Sequence, residues 1–114
     1  MIVVDTTVLV YAVGADHALT APCRELVRRI GEERLRATTT VEVLQEFAHV
    51  RARRLGRPDA VELTRQYHTL FTPLLRVDSD DLDAGLDVFL GHDEVGAFAA
   101  VLAGAARRHG ATHW

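Results

Sequence analysis

The sequence predicts an α/β fold: a central parallel sheet with helices on both faces. Three observations carry this expectation. The chain opens on a short apolar run, Ile2-Val3-Val4, that ends at an acid, Asp5. Further short apolar stretches alternate with longer segments whose apolar residues recur at helical spacing. Each helical segment is bounded by turn or capping residues, so strands and helices follow one another as crossover units.

The first strand ends near Asp5, and Val8, Leu9 and Val10 form a second apolar cluster before the turn signal Gly14. Asp16 is the expected N-cap of a helix over about 17–31, with Cys23, Leu26, Val27 and Ile30 as its stripe. Leu35 to Thr39 reads as the second strand. A helix over about 41–54 follows, with Val43, Leu44, Phe47 and Val50 as its apolar face. Gly56 ends it, and Pro58 suits the first turn of the next helix, which carries Val61, Leu63, Tyr67, Leu70 and Phe71.

Pro73 closes that helix and Leu74 to Val77 reads as a third strand. Ser79 is expected to cap a helix whose first turn holds Asp80, Asp81 and Asp83, with Leu82, Leu86, Phe89 and Leu90 as its buried face. A last helix, over about 94–108, has Val95, Phe98, Val101 and Leu102 as its stripe. Gly110 stops it. Thr112-His113-Trp114 looks like the beginning of another strand, so the last strand of the sheet is expected to be incomplete.

The chain has 114 residues, 48% hydrophobic and 25% charged, which suits a single domain spanning residues 1–114. No apolar run is long enough to cross a membrane. The start lacks the basic region of a signal peptide. Cys23 is the only cysteine, so no internal disulfide forms, and a reducing cytoplasm is the expected location. All 13 basic residues are arginine, and the formal net charge is −3. That balance argues against gripping nucleic acid through a broad basic surface, though not against a local arginine patch.

Function in an open α/β sheet sits beyond the carboxyl ends of the strands. Asp5 falls there among apolar neighbours, where it serves either a reaction or the cap of the following turn. Glu42 and Glu46 lie four apart on one helix face. Glu42 has a sufficient explanation in the helix dipole; Glu46, one turn further in, is an even choice between a functional and a solvated acid. Asp93 and Glu94 read as charges at a helix start, and Asp78, Asp80, Asp81, Asp83 and Asp87 as a solvated helix start and face. The six histidines show no metal-ligand spacing, and Cys23 reads as core. Carboxylates at strand ends, with no phosphate loop and no nucleophile elbow, point to a hard cation such as Mg²⁺ acting on a phosphodiester.

Three segments in this order resemble the PIN-domain ribonucleases, most closely the VapC-type toxins of bacterial toxin–antitoxin pairs. They are Ile2-Val-Val-Asp-Thr-Thr-Val-Leu-Val10, Thr39-Thr-Val-Glu-Val-Leu-Gln-Glu-Phe47 and Gly96-Ala-Phe-Ala-Ala-Val-Leu-Ala103. The resemblance covers essentially the whole chain. It implies a Mg²⁺- or Mn²⁺-dependent endoribonuclease with three or four acids. The first acid falls on Asp5 and the helix glutamate on Glu46, with Glu42 and Asp93 as accessory candidates. The third acid falls on position 99, where this chain has alanine, so the resemblance implies an impaired nuclease. The fourth would follow the last residues of the sequence.

The resemblance further implies an RNA substrate, a VapB-type antitoxin, a homodimer and a toxin–antitoxin hetero-oligomer. Arg51, Arg53 and Arg54 are the candidate RNA contacts, with Arg107 and Arg108 as a second basic group. Leu63, Tyr67, Leu70 and Phe71 are the candidate groove for an antitoxin helix. The competing expectation is a PIN-like module that binds RNA or antitoxin without cleaving.

Overall fold

The structure is a computed structural model and describes residues 1–113. Three two-residue strands form a parallel sheet in the order β2-β1-β3: β1 (Ile2–Val3), β2 (Ala37–Thr38) and β3 (Thr112–His113). The strand beginning expected at Thr112 is therefore present, paired Ile2↔Thr112 and Val3↔His113 on one side of β1. On the other side the register is Ile2↔Ala37 and Val3↔Thr38. Backbone bonds from Val4 N–H to the Thr38 carbonyl (2.9 Å) and from Thr112 N–H to the Met1 carbonyl (2.9 Å) extend the pairing. Val3 and Val4 are fully buried, as a central parallel strand requires.

Six helices cover the sheet: α1 (Thr6–Ala12), α2 (Thr20–Gly31), α3 (Val41–Leu55), α4 (Arg57–Phe71), α5 (Ser79–Gly91) and α6 (Ala97–Arg108). The sequence assigns no helix to 6–12, because Thr-Thr-Val-Leu-Val is a poor helix former by propensity. Tertiary context prevails. Asp5 caps α1, and Thr6, Leu9 and Ala12 bury one face of it.

Three boundaries differ from expectation. Asp16 does not cap α2, which starts at Thr20 behind Leu19. A start at 17 would have put Pro22, which has no N–H, beyond the first turn where an amide must donate. The segment 74–77 is not a strand; only Leu75 bridges to Thr40, its N–H bonding the Thr39 carbonyl at 2.9 Å. The last helix starts at Ala97, not near 94, so Asp93 and Glu94 lie in the preceding turn, exposed.

The face of α5 is rotated from the expected one. Leu82, Leu86 and Phe89 are partly in solvent, and Leu90 is 85% exposed. The residues turned inward are Asp81 and Gly85. Gly85 is required there: a Cβ at this position would meet the Val101 Cα at 2.5 Å. Asp81, at 1% exposure, is no solvated acid. It completes a capping box with Asp78, the actual N-cap in place of Ser79. It also accepts two bonds from Arg108 at the end of α6, at 2.6 and 2.8 Å. Arg108 is thus a clamp between α5 and α6 rather than a free cation.

The other helix pair, α3 and α4, turns at Gly56, whose φ of 92° suits glycine. Between them Phe47 and Tyr67 meet edge to face at 5.0 Å, and the buried Tyr67 hydroxyl donates to the Leu9 carbonyl at 3.1 Å. Burial pushes that phenol up to about 12. Tyr67 and Phe71 are core, and Leu63 and Leu70 pack against it, so these four do not form an open groove.

Two outcomes follow from the α5–α6 contact. Gly85→Ala is expected to destabilise the chain by roughly 1–3 kcal/mol through overpacking, measured by urea denaturation. Arg108 hydrogen bonds hold the Asp81 carboxyl at about 2, below its unfolded value of about 4. Its contribution is therefore present above pH 4 and lost as the pH falls from about 4 to about 2. Asp81→Asn should cost about 2 kcal/mol at pH 7 and flatten that part of the pH–stability curve.

Candidate functional site

The carboxyl edge of the sheet is built by three features of the chain. Asp5 leaves the end of β1 with extended backbone and caps α1, its Oδ1 accepting from Thr6 N–H at 2.6 Å. Thr39 and Thr40, fully buried, close the neighbouring strand. The Thr39 hydroxyl donates to the Val4 carbonyl at 2.7 Å, and the Thr40 hydroxyl accepts from Val43 N–H at 3.1 Å, starting α3. These bonds tie the end of β2 to the end of β1 and fix where α3 begins.

The start of α6 reaches the same edge. Thr40 and Glu42 line one cavity of about 330 Å³ together with Ala97 and Phe98 from the first turn of α6. The floor of that cavity is apolar, with Val77, Leu82, Leu86, Val101 and Leu102 completing it. Ala99 lies in the same first turn of α6 and is half-buried. Glu46 stands one turn after Glu42 on α3, exposed.

Asp5, the start of α3 and the start of α6 therefore share the carboxyl edge. Other candidates sit elsewhere. Arg51 is engaged structurally: its guanidinium bonds Asp59 at 2.5 Å and the Val13 carbonyl at 3.1 Å. Arg53 and Arg54 are exposed, but they lie in the last turn of α3, about 12 Å along the helix from Glu46. Since α3 runs away from the carboxyl edge, they stand toward its opposite end. Asp93 is an exposed turn residue.

Two residues at the site were not singled out from sequence. His113, on β3, places Nε2 2.9 Å from Asp5 Oδ2, with side-chain exposures of 29% and 20%. The signal was there in outline: a histidine in the last strand lies beside the acid if that strand pairs with the first. Thr6, buried beside Asp5, has a hydroxyl with no hydrogen-bond partner among the described residues.

A hard divalent cation takes several oxygen ligands. Asp5 supplies a carboxylate whose two oxygens each already accept a bond, Glu46 points its acid from an exposed helix position, and Ala99 supplies no oxygen. Among the described residues, no three Asp, Glu, His or Cys side chains converge as a cation would need. The described residues do not make a complete cation site.

The model of the PIN domain family matches residues 2–113. Ribonuclease VapC7 of Mycobacterium tuberculosis is 49% identical over 116 aligned residues, covering 98% of this chain and 78% of that protein. Ribonuclease VapC23 of the same species is 30% identical, covering 98% of this chain and 88% of its own. Among solved structures, the Mycobacterium tuberculosis toxin VapC20, which cleaves the sarcin–ricin loop, superposes with a TM-score of 0.79 at 20% identity, covering 97% of this chain and 85% of that one. The chain belongs to the PIN-domain family, in its VapC-type ribonuclease branch.

Thr39 matters through its bond to Val4 rather than through chemistry. Thr39→Val is expected to destabilise the fold by about 1 kcal/mol, seen in thermal denaturation, because the Val4 carbonyl loses a buried donor.

Proposed function

We propose that this protein is the toxin of a VapBC-type toxin–antitoxin pair, built as a Mg²⁺- or Mn²⁺-dependent endoribonuclease and impaired in this form by Ala99. The observation that carries the reading is the position of Asp5 at the end of the central strand, at an edge shared with the first turns of α3 and α6. Asp5 and Glu46 are the retained acids of the site, and position 99 is the place of the third. Alanine there leaves the edge short of the oxygen donors that a hard cation takes. Glu42 and Asp93 remain accessory candidates, Glu42 the better placed because it shares a cavity with the start of α6.

RNA is the substrate in this reading; Arg53 and Arg54 are exposed but stand at the end of α3 away from the acids, so they would meet only RNA that extends along the helix, and Arg51 is committed to Asp59. A VapB-type antitoxin and a second copy of the chain are the partners, giving a homodimer and a toxin–antitoxin hetero-oligomer in the cytoplasm. The large apolar side chains left in solvent on α5 and α6 support association of some kind. No described helix is long and apolar enough to cross a membrane.

Ala99 also favours a second reading, a PIN module that binds RNA or antitoxin without cleaving. Incubating RNA with the full-length protein separates the two. With Ala99→Asp and Mn²⁺ present, cleavage is expected, absent from the alanine form and abolished again by adding Asp5→Asn. If the aspartate form cuts no RNA with either metal, the binding module is the correct reading.

A further inference from the structure

Among the described residues the Asp5 carboxylate is held at two points, and only one of them comes from its own segment. Oδ1 accepts from Thr6 N–H, a contact one residue away. Oδ2 meets His113 Nε2, across 108 residues of chain. An ionised carboxylate only accepts hydrogen bonds, so in this pair Nε2 carries the proton and donates. The contact depends on the register of the last strand. Val3 pairs with His113, so their side chains share one face of the sheet, and Asp5 follows two residues after Val3 with extended backbone. A slip of one residue would turn His113 to the opposite face.

We infer that His113 is a positioning residue for Asp5: through Nε2 it fixes the rotamer and the outer oxygen of the site's first acid. This rests on the ribonuclease reading for its functional consequence, but not for the contact itself. Without His113 the carboxylate keeps, among the described residues, only the Thr6 bond, which fixes one oxygen and leaves the other free to swing about χ2. The hold is compatible with chemistry at Asp5, because each carboxylate oxygen has two lone pairs and the described bonds use one on each. Groups that orient an acting carboxylate from behind are typically worth roughly 10- to 100-fold in activity. The orphan Thr6 hydroxyl, buried beside this pair, does not relieve the need for His113, since it makes no bond to the carboxylate.

Two experiments decide the inference. In the first, the imidazole nitrogens of ¹⁵N-labelled protein are followed by NMR in the alanine form, where no catalysis is needed. His113 is expected in the Nε2–H tautomer, with its resonance displaced by Asp5→Asn. A His113 resonance identical in both proteins overturns the contact.

In the second, RNA cleavage is followed in the full-length Ala99→Asp background. His113→Ala should lower kcat by roughly 10- to 100-fold with KM little changed, and His113→Gln, which can still donate to Oδ2, should recover part of the loss. A loss that His113→Gln does not recover, accompanied by an equal fall in melting temperature for both variants, would make His113 merely structural and overturn the inference. If Ala99→Asp itself cleaves nothing, the ribonuclease reading fails, while the NMR result still decides whether His113 holds Asp5.

Discussion

The parallel pairing of β1 with a strand on each side is the constraint on which the other placements depend. The strand is two residues long, yet Val3 and Val4 are wholly buried and both of its edges are bonded. One edge brings in β2 and, through Thr39 and Thr40, the start of α3. The other brings in β3 and with it His113. Since all three strands run the same way, the connecting helices return along the faces, and the carboxyl edge becomes the meeting place of segments from both ends of the chain.

Two helix pairs support that edge differently. The α3–α4 pair is held by aromatic packing around Tyr67 and by the Arg51–Asp59 ion pair. The α5–α6 pair relies on a missing side chain and a buried acid: Gly85 lets Val101 approach, and Asp81 receives Arg108. Both features hold α6 against α5, and these two helices together with Thr40 and Glu42 line the cavity at the start of α6.

Much of the architecture was legible in the sequence because periodicity reports burial directly. The apolar run before Asp5, the stripe Val43-Leu44-Phe47 and the brackets Gly56-Pro58 each gave an element near its observed place. What was not legible depended on tertiary partners. The helix Thr6–Ala12 forms against its own propensities, since its burial and the Asp5 cap outweigh them. The inward face of α5 carries an aspartate and a glycine, so a hydrophobic pattern pointed to Leu82 and Leu86 instead. Among the candidate residues, the position of Asp5 at a strand end was readable. His113 was not, since no local spacing connects residues 108 apart, and Arg51 looked available because Asp59 lies on another helix.

We propose that Asp5, Glu46 and position 99 belong to one site whose third donor is missing here. Paramagnetic broadening by Mn²⁺ of backbone amide resonances tests it most directly, comparing the alanine form with Ala99→Asp. Selective broadening at Thr6, Phe47 and Ala100 is expected in the aspartate form, with none of that pattern in the alanine form. Equal broadening in both forms, or broadening confined to the acids of α5 around Asp80, Asp83 and Asp87, would contradict it.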